Sequence, residues 1–142
     1  MIKLIQANKP KYVDTIALAL EATLGSSDLL KQPSIAWFLM ADETGVVGIA
    51  YLYSLSDVRM HINVLFTPDN VHHKGRKQAG KDLLTYLKKE SAHTKLETMI
   101  PVQDKQHLRY FAQIGFKREG VARASALING TLTDQVHMGY VL

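Results

Sequence analysis

The chain has 142 residues, 46% of them apolar and 21% charged, which suits a single globular domain spanning 1–142 and excludes a disordered polymer. It has no cysteine, so disulfide and thiol chemistry are excluded, and a reducing, cytoplasmic setting is expected. No apolar run is long enough for a bilayer span, the opening Met1-Ile-Lys-Leu-Ile5 turns polar too early for a secretory signal, and a net charge of +4 suits an anionic small molecule better than nucleic acid.

Ile2 to Ile5 reads as a short strand. Pro10 then suits a helix first turn, with Val13, Ile16, Ala17 and Leu20 at helical spacing and Gly25 as the stop. Asp28 to Lys31 reads as a further helical turn. Ile35 to Met40 and Val46 to Tyr53 form a hairpin across Asp42-Glu-Thr-Gly45, with Trp37, Phe38, Tyr51 and Tyr53 as core and sheet-surface aromatics. After a turn at Ser54 to Asp57, Arg59 to Phe66 is another strand. It alternates: Met60, Ile62, Val64 and Phe66 share one face, His61 and Asn63 the other.

Val71 to Ser91 carries the strongest functional signal. Its first half is a cationic, glycine-bearing stretch, read as a loop. Its second half has helical spacing through Ala79, Leu83 and Leu87. Strand, basic glycine loop and helix start together make a phosphate site, because free backbone N–H groups and the helix dipole both favour an anion. Lys74, Arg76, Lys77 and Lys81 add positive charge, and seven of the 17 Lys and Arg lie between Lys74 and Lys95. Gly75-x-x-x-x-Gly80-Lys81 approaches a P-loop, but Asp82 stands where a Mg²⁺-holding hydroxyl is needed, so nucleotide hydrolysis is not expected. His72 and His73 are adjacent and without a Cys or an i/i+4 His partner, so no metal is expected.

Leu96 to Ile100 is a strand stopped by Pro101. Asp104 is an N-cap for a short helix with Leu108, Phe111 and Ala112 on its apolar face, and Gly115 lies past its end. Phe116 to Ile128 and Thr131 to Leu142 are strands joined by Asn129-Gly130, a strong hairpin signal. The order β-α-ββ-β-α-β-α-ββ indicates an α+β fold with a mixed, mostly antiparallel sheet.

Asp104 through Phe116, followed by Lys117-Arg-Glu-Gly-Val-Ala-Arg123 and then Asn129-Gly-Thr-Leu-Thr-Asp134 and His137-Met-Gly, resembles the C-terminal signature of the GNAT family of acyl-CoA-dependent N-acyltransferases. The likeness extends over nearly the whole chain. It points toward the branch that acetylates ribosomal-protein termini and toward compact GNAT-like proteins of bacteriophages. The resemblance implies a sheet splayed open at its middle and acetyl-CoA with its pyrophosphate on the Val71–Ser91 segment. The family's Arg/Gln-x-x-Gly-x-Gly/Ala loop fits imperfectly, as Lys74-x-x-Lys77-x-Ala79 or as Gly75-x-x-Gln78-x-Gly80.

Lys74, Gly75, Arg76, Lys77, Gln78, Ala79, Gly80 and Lys81 would therefore meet the donor. Val64 and Phe66 would bind its acyl end through backbone amides, and Asp104 takes the place of a family asparagine that contacts CoA. His61 is the candidate base, with Asn63 beside it in the acceptor site. The family's catalytic tyrosine falls on Phe111, which leaves Tyr110, one residue away, as candidate acid. The implied function is acetyl transfer from acetyl-CoA to a primary amine of a small molecule or protein. The alternative is a GNAT-fold interaction or structural module without catalysis, for example of a bacteriophage. A second copy or another protein would be a further partner, and neither membrane nor nucleic acid is expected as one.

Overall fold

A computed structural model describes residues 3–6, 34–42, 45–66 and 73–142 of the chain. The expected helix from Pro10 to Leu20, its stop at Gly25, the turn at Asp28 to Lys31 and the loop stretch from Pro68 to His72 lie outside the described residues.

Among the described residues, seven strands form one sheet: β1 (Lys3–Gln6), β2 (Ala36–Asp42), β3 (Gly45–Ser54), β4 (Arg59–Phe66), β5 (Lys95–Pro101), β6 (Lys117–Ile128) and β7 (Thr131–Val141). Two helices are described, α1 (His73–Glu90) between β4 and β5, and α2 (Lys105–Gln113) between β5 and β6. The strand order is β1-β2-β3-β4-β5-β7-β6. Every neighbouring pair is antiparallel except β4 and β5. The α+β expectation and the mostly antiparallel sheet are borne out.

The parallel pair positions the site. β4 and β5 are in register only at Arg59↔Lys95, Met60↔Leu96 and His61↔Glu97. Beyond His61 the two strands part, although β4 runs on to Phe66 and β5 to Pro101. The sheet therefore splays at its centre. The backbone groups of β4 that would meet β5 must find other partners, because buried N–H and C=O groups are rarely left unpaired.

The helices cover one face. Leu83, Leu84 and Leu87 of α1, Phe111 of α2 and Ile114 at its C-cap pack with Ile62 and Val64 of β4 and Leu96 and Ile100 of β5, all buried. Each such side chain contributes about 1.5–3 kcal/mol by leaving water. The alternation expected on β4 is observed: Met60, Ile62 and Val64 are buried, while His61, Asn63 and Leu65 are partly exposed.

One expectation is corrected. The basic half of Val71–Ser91 is not a loop, because α1 begins at His73. Lys, Arg, Gln and Ala are good helix formers, and packing of Arg76, Ala79 and Gly80 offsets the roughly 1 kcal/mol that each glycine loses against alanine in a helix. The P-loop-like pattern is helical as well, and Gln78 there donates to Asp82 at 2.9 Å, an i,i+4 contact on the helix surface.

The C-terminal hairpin follows its turn residues. Asn129 and Gly130 have φ of 49° and 78°, both positive as a type I′ turn requires. β6 carries an irregularity between Ala122 and Ala126, where Ala124 adopts φ 48° and its N–H donates to Asp134 Oδ1 at 2.8 Å.

Candidate active site

Two adjoining cavities occupy the splay. The first, about 350 Å³, is lined by Asn63, Leu65 and Phe66 of β4, Met99 to Pro101 of β5, and Asp104, Gln106 and His107 at the start of α2. The second, about 550 Å³, opens between the helices and is lined by Phe66, Arg76, Lys77, Lys105, Gln106, Arg109, Tyr110 and Gln113. Phe66 and Gln106 border both. The second holds four cationic side chains and no carboxylate among its lining residues, so it attracts anions; the first is lined by one carboxylate, Asp104, and no Lys or Arg.

The partners of Val64 show how the strand edge at the splay is satisfied. Its N–H donates to Asn63 Oδ1 at 2.8 Å, and its carbonyl accepts from His107 Nε2 at 2.8 Å. Asn63 Nδ2 in turn donates to the Tyr51 hydroxyl at 2.9 Å. A polar chain thus crosses from β3 through β4 to α2. Phe66, two residues on, turns the same way by strand alternation, and its ring is the hub of the cleft. The Arg76 guanidinium lies 4.3 Å from the ring centroid, His107 stacks on it at 4.9 Å, and Tyr110 meets it edge-on at 4.8 Å.

α2 is placed by its cap. Asp104 Oδ1 accepts from the His107 backbone N–H at 3.2 Å, as expected of an N-cap, and Oδ2 stands 2.9 Å from His107 Nδ1, off the line of a hydrogen bond. Helical geometry then sends His107 toward β4, and Lys105 and Arg109, at i and i+4, to the open side.

The sequence-derived candidates divide accordingly. Phe66, Asn63, Asp104, Arg76, Lys77 and Tyr110 line the two cavities, whereas Val64 is buried and lines neither, its N–H donating to Asn63 and its carbonyl accepting from His107. Gly75 belongs to the first turn of α1, where N–H groups have no intrahelical partner, and Lys74 lies in the same turn. Ala79 and Gly80 do not join them. They lie beyond that first turn, inside the helical hydrogen-bond ladder, and are buried. Gln78 and Lys81 are exposed on the helix surface.

His61 is two residues from Asn63 on the same face but is not among the residues lining the first cavity. It stacks on Tyr53 at 4.7 Å. Burial pulls its pKa below the ordinary 6.5, with nearby Glu97 opposing, so the ring favours its neutral, proton-accepting form. Phe111, at the family's tyrosine position, is fully buried and carries no polar atom on its side chain. The Tyr110 hydroxyl is buried and donates to the Arg76 carbonyl at 2.9 Å, and burial pushes its pKa well above the ordinary phenol range, with Arg76 opposing. Its geometry is that of a pin between the two helices.

Sequence reasoning passed over His107, Lys105 and Arg109. The signal for His107 was present: it stands three residues after an N-cap aspartate, where the side chains of cap and ring can meet. Glu97 was also passed over. It is buried on β5 beside Arg59 at 2.9 Å and His137 at 3.3 Å, and Lys95 reaches both Glu97 and Glu119. Glu97, Glu119 and His137 bring ligand-type atoms within 4.8 Å of one another, but Arg59 and Lys95 already neutralise the carboxylates.

No protein-family model and no curated protein matches the sequence. Solved structures do match. The spermidine N-acetyltransferase of Vibrio cholerae, in complex with CoA and spermine, superposes with a TM-score of 0.81 at 14% identity, covering 99% of this chain and 95% of that one. A protein assigned as a phosphinothricin N-acetyltransferase gives 0.80 at 14% identity over 100% and 99%. The fold is the GNAT fold. A dodecameric form of the Vibrio cholerae enzyme, in an intermediate state, gives 0.82 at 14% identity over 99% and 93%. Among the described residues, no helix is long and apolar enough to cross a membrane.

Proposed function

We propose that the chain is an acetyl-CoA-dependent N-acetyltransferase acting on a primary amine. The observation that carries this reading is the cleft: a splayed β4 edge reached through a cavity with Arg76, Lys77, Lys105 and Arg109 and no carboxylate in its lining. CoA is an extended polyanion ending in an acyl thioester. Its phosphates would meet these cations and the amides of the first turn of α1, including those of Lys74 and Gly75. Its acyl end would reach Val64 and Phe66, whose N–H groups would replace water around the thioester carbonyl. For Val64, Asn63 must first release the amide it now holds.

The amine would approach from the Asn63 face. His61, kept neutral by burial, would accept its proton directly or through water. Much of the rate would come from holding the two reactants in one cleft. The solved neighbours that act on amines support this class, and the acceptor lies among small-molecule or protein amines. The alternative, a GNAT-fold interaction module without catalysis, draws support from Phe111 at the family's tyrosine position.

Calorimetric titration with acetyl-CoA, followed by thiol release with spermidine, phosphinothricin and a peptide amine as acceptor probes, tests the reading. Binding near micromolar, weakened roughly tenfold or more by Lys77→Glu with Arg109→Glu and weakened by salt, is expected. Absence of binding at millimolar acetyl-CoA overturns it. Binding without transfer to any amine establishes the module instead.

A further inference from the structure

Among the described residues His107 is the one histidine lining the first cavity, and its surroundings define a task. The Val64 carbonyl 2.8 Å from Nε2 can only accept, so Nε2 carries a hydrogen. Nδ1 faces the Asp104 carboxylate at 2.9 Å, again an acceptor. An oxygen acceptor thus lies within 3 Å of each ring nitrogen, in hydrogen-bond line at Nε2 and off that line at Nδ1. The charged groups facing it are few. Asp104 lies on its own helix, and Arg76 of α1 touches the same Phe66 ring. Asn63, Val64, Met99, Ile100 and Pro101 on β4 and β5 are uncharged.

We infer that His107 is the catalytic acid that protonates the departing thiol sulfur, with Asp104 as its positioning residue. The inference rests on the acetyl-transfer reading. In that reaction the amine nitrogen forms a bond to the acyl carbon and the C–S bond breaks, its electron pair passing to sulfur. The Nε2 proton moves to sulfur and leaves a neutral imidazole with its hydrogen on Nδ1, toward Asp104. The amine gives up one proton to His61 or water, and the ring regains one from water, so charge and atoms balance.

No other lining residue of the first cavity suits. Asp104 and His107 are its only titratable members among the described residues, and Asp104 is committed to His107. Phe111 cannot donate, and Tyr110 lines the second cavity but not the first. At rest the Val64 carbonyl holds the acid proton beside the strand edge where the thioester would lie.

The test uses thiol release from acetyl-CoA by the wild type and by His107→Gln, whose amide can still donate to Val64 but cannot titrate. A fall in kcat of about 100-fold or more is expected, with acetyl-CoA affinity held within about twofold. With the acetyl ester of an aromatic thiol, a far better leaving group, the deficit should shrink toward parity. Asp104→Asn, which preserves the cap, should move the high-pH fall in kcat to lower pH. Wild-type kcat in His107→Gln, or an equal deficit with both donors, overturns the acid while the acetyltransferase reading stands. Absence of transfer by the wild type itself overturns both. If His107→Gln does not fold, the Asp104→Asn pH profile decides, and an unmoved profile overturns the acid.

Discussion

Gly80 lies beneath the hydroxyl of Tyr110, so that a Cβ placed on Gly80 would collide with that oxygen. Glycine here is a packing requirement between α1 and α2, since the position is helical and its φ is ordinary. The same hydroxyl donates to the Arg76 carbonyl, one turn earlier on α1. Gly80→Ala should therefore destabilise by about 1–3 kcal/mol despite alanine's better helix propensity. Tyr110→Phe removes the colliding atom and the hydrogen bond together. The double variant should lose less than the sum of the singles, and chemical denaturation of the four proteins measures the difference. Strict additivity would mean that the two residues do not meet.

His61 predicts a pH dependence of stability. Burial lowers its folded-state pKa, so below the ordinary 6.5 the unfolded chain binds a proton that the folded chain resists. Stability is full above that value and falls as pH drops toward the lowered one. Between about pH 7.5 and 5.5 the wild type should lose more stability than His61→Gln, read as the shift in urea midpoint of each protein. Equal losses would assign the acid sensitivity to other groups.

Glu97 predicts an asymmetry between partners. Its side chain is only 8% exposed, whereas Arg59 is 47% exposed. Glu97→Gln leaves Arg59 and Lys95 without their shared carboxylate and should lower stability by about 1–2 kcal/mol. Arg59→Ala should lower it by less than about 1 kcal/mol, because solvent screens an exposed cation. Thermal unfolding of both variants checks the order.

Asp134 holds the irregularity of β6 in place through the Ala124 N–H. Asp134→Ala should cost about 0.5–1.5 kcal/mol, while Asp134→Asn, which keeps an acceptor oxygen, should retain most of the stability. If Asn is as damaging as Ala, the carboxylate charge matters more than the hydrogen bond.

The elements were legible where one local rule dominates. The alternation of Arg59 to Phe66, the cap at Asp104 and the Asn129-Gly130 turn each reported their own conformation, and the structure places all three as expected. Val71 to Ser91 misled because glycines amid cations look like a loop, whereas the helix is decided by what Arg76, Ala79 and Gly80 pack against. Tyr110 and Phe111 could be assigned to faces by counting, but the partner of the Tyr110 hydroxyl could not. That partner is a carbonyl 34 residues away.

From sequence alone came the succession of the described strands and helices along the chain, the mixed sheet, the basic start of α1 and the likeness to the GNAT family, because spacing and turn chemistry act between near neighbours. Tertiary structure alone decided that β4 and β5 part after His61, that Val64 is held by Asn63 and His107, and that Lys105 and Arg109 join Arg76 and Lys77 at one opening. The physical reason is that a strand edge is satisfied by whatever lies across the gap, and here that is a helix some 40 residues further along the chain.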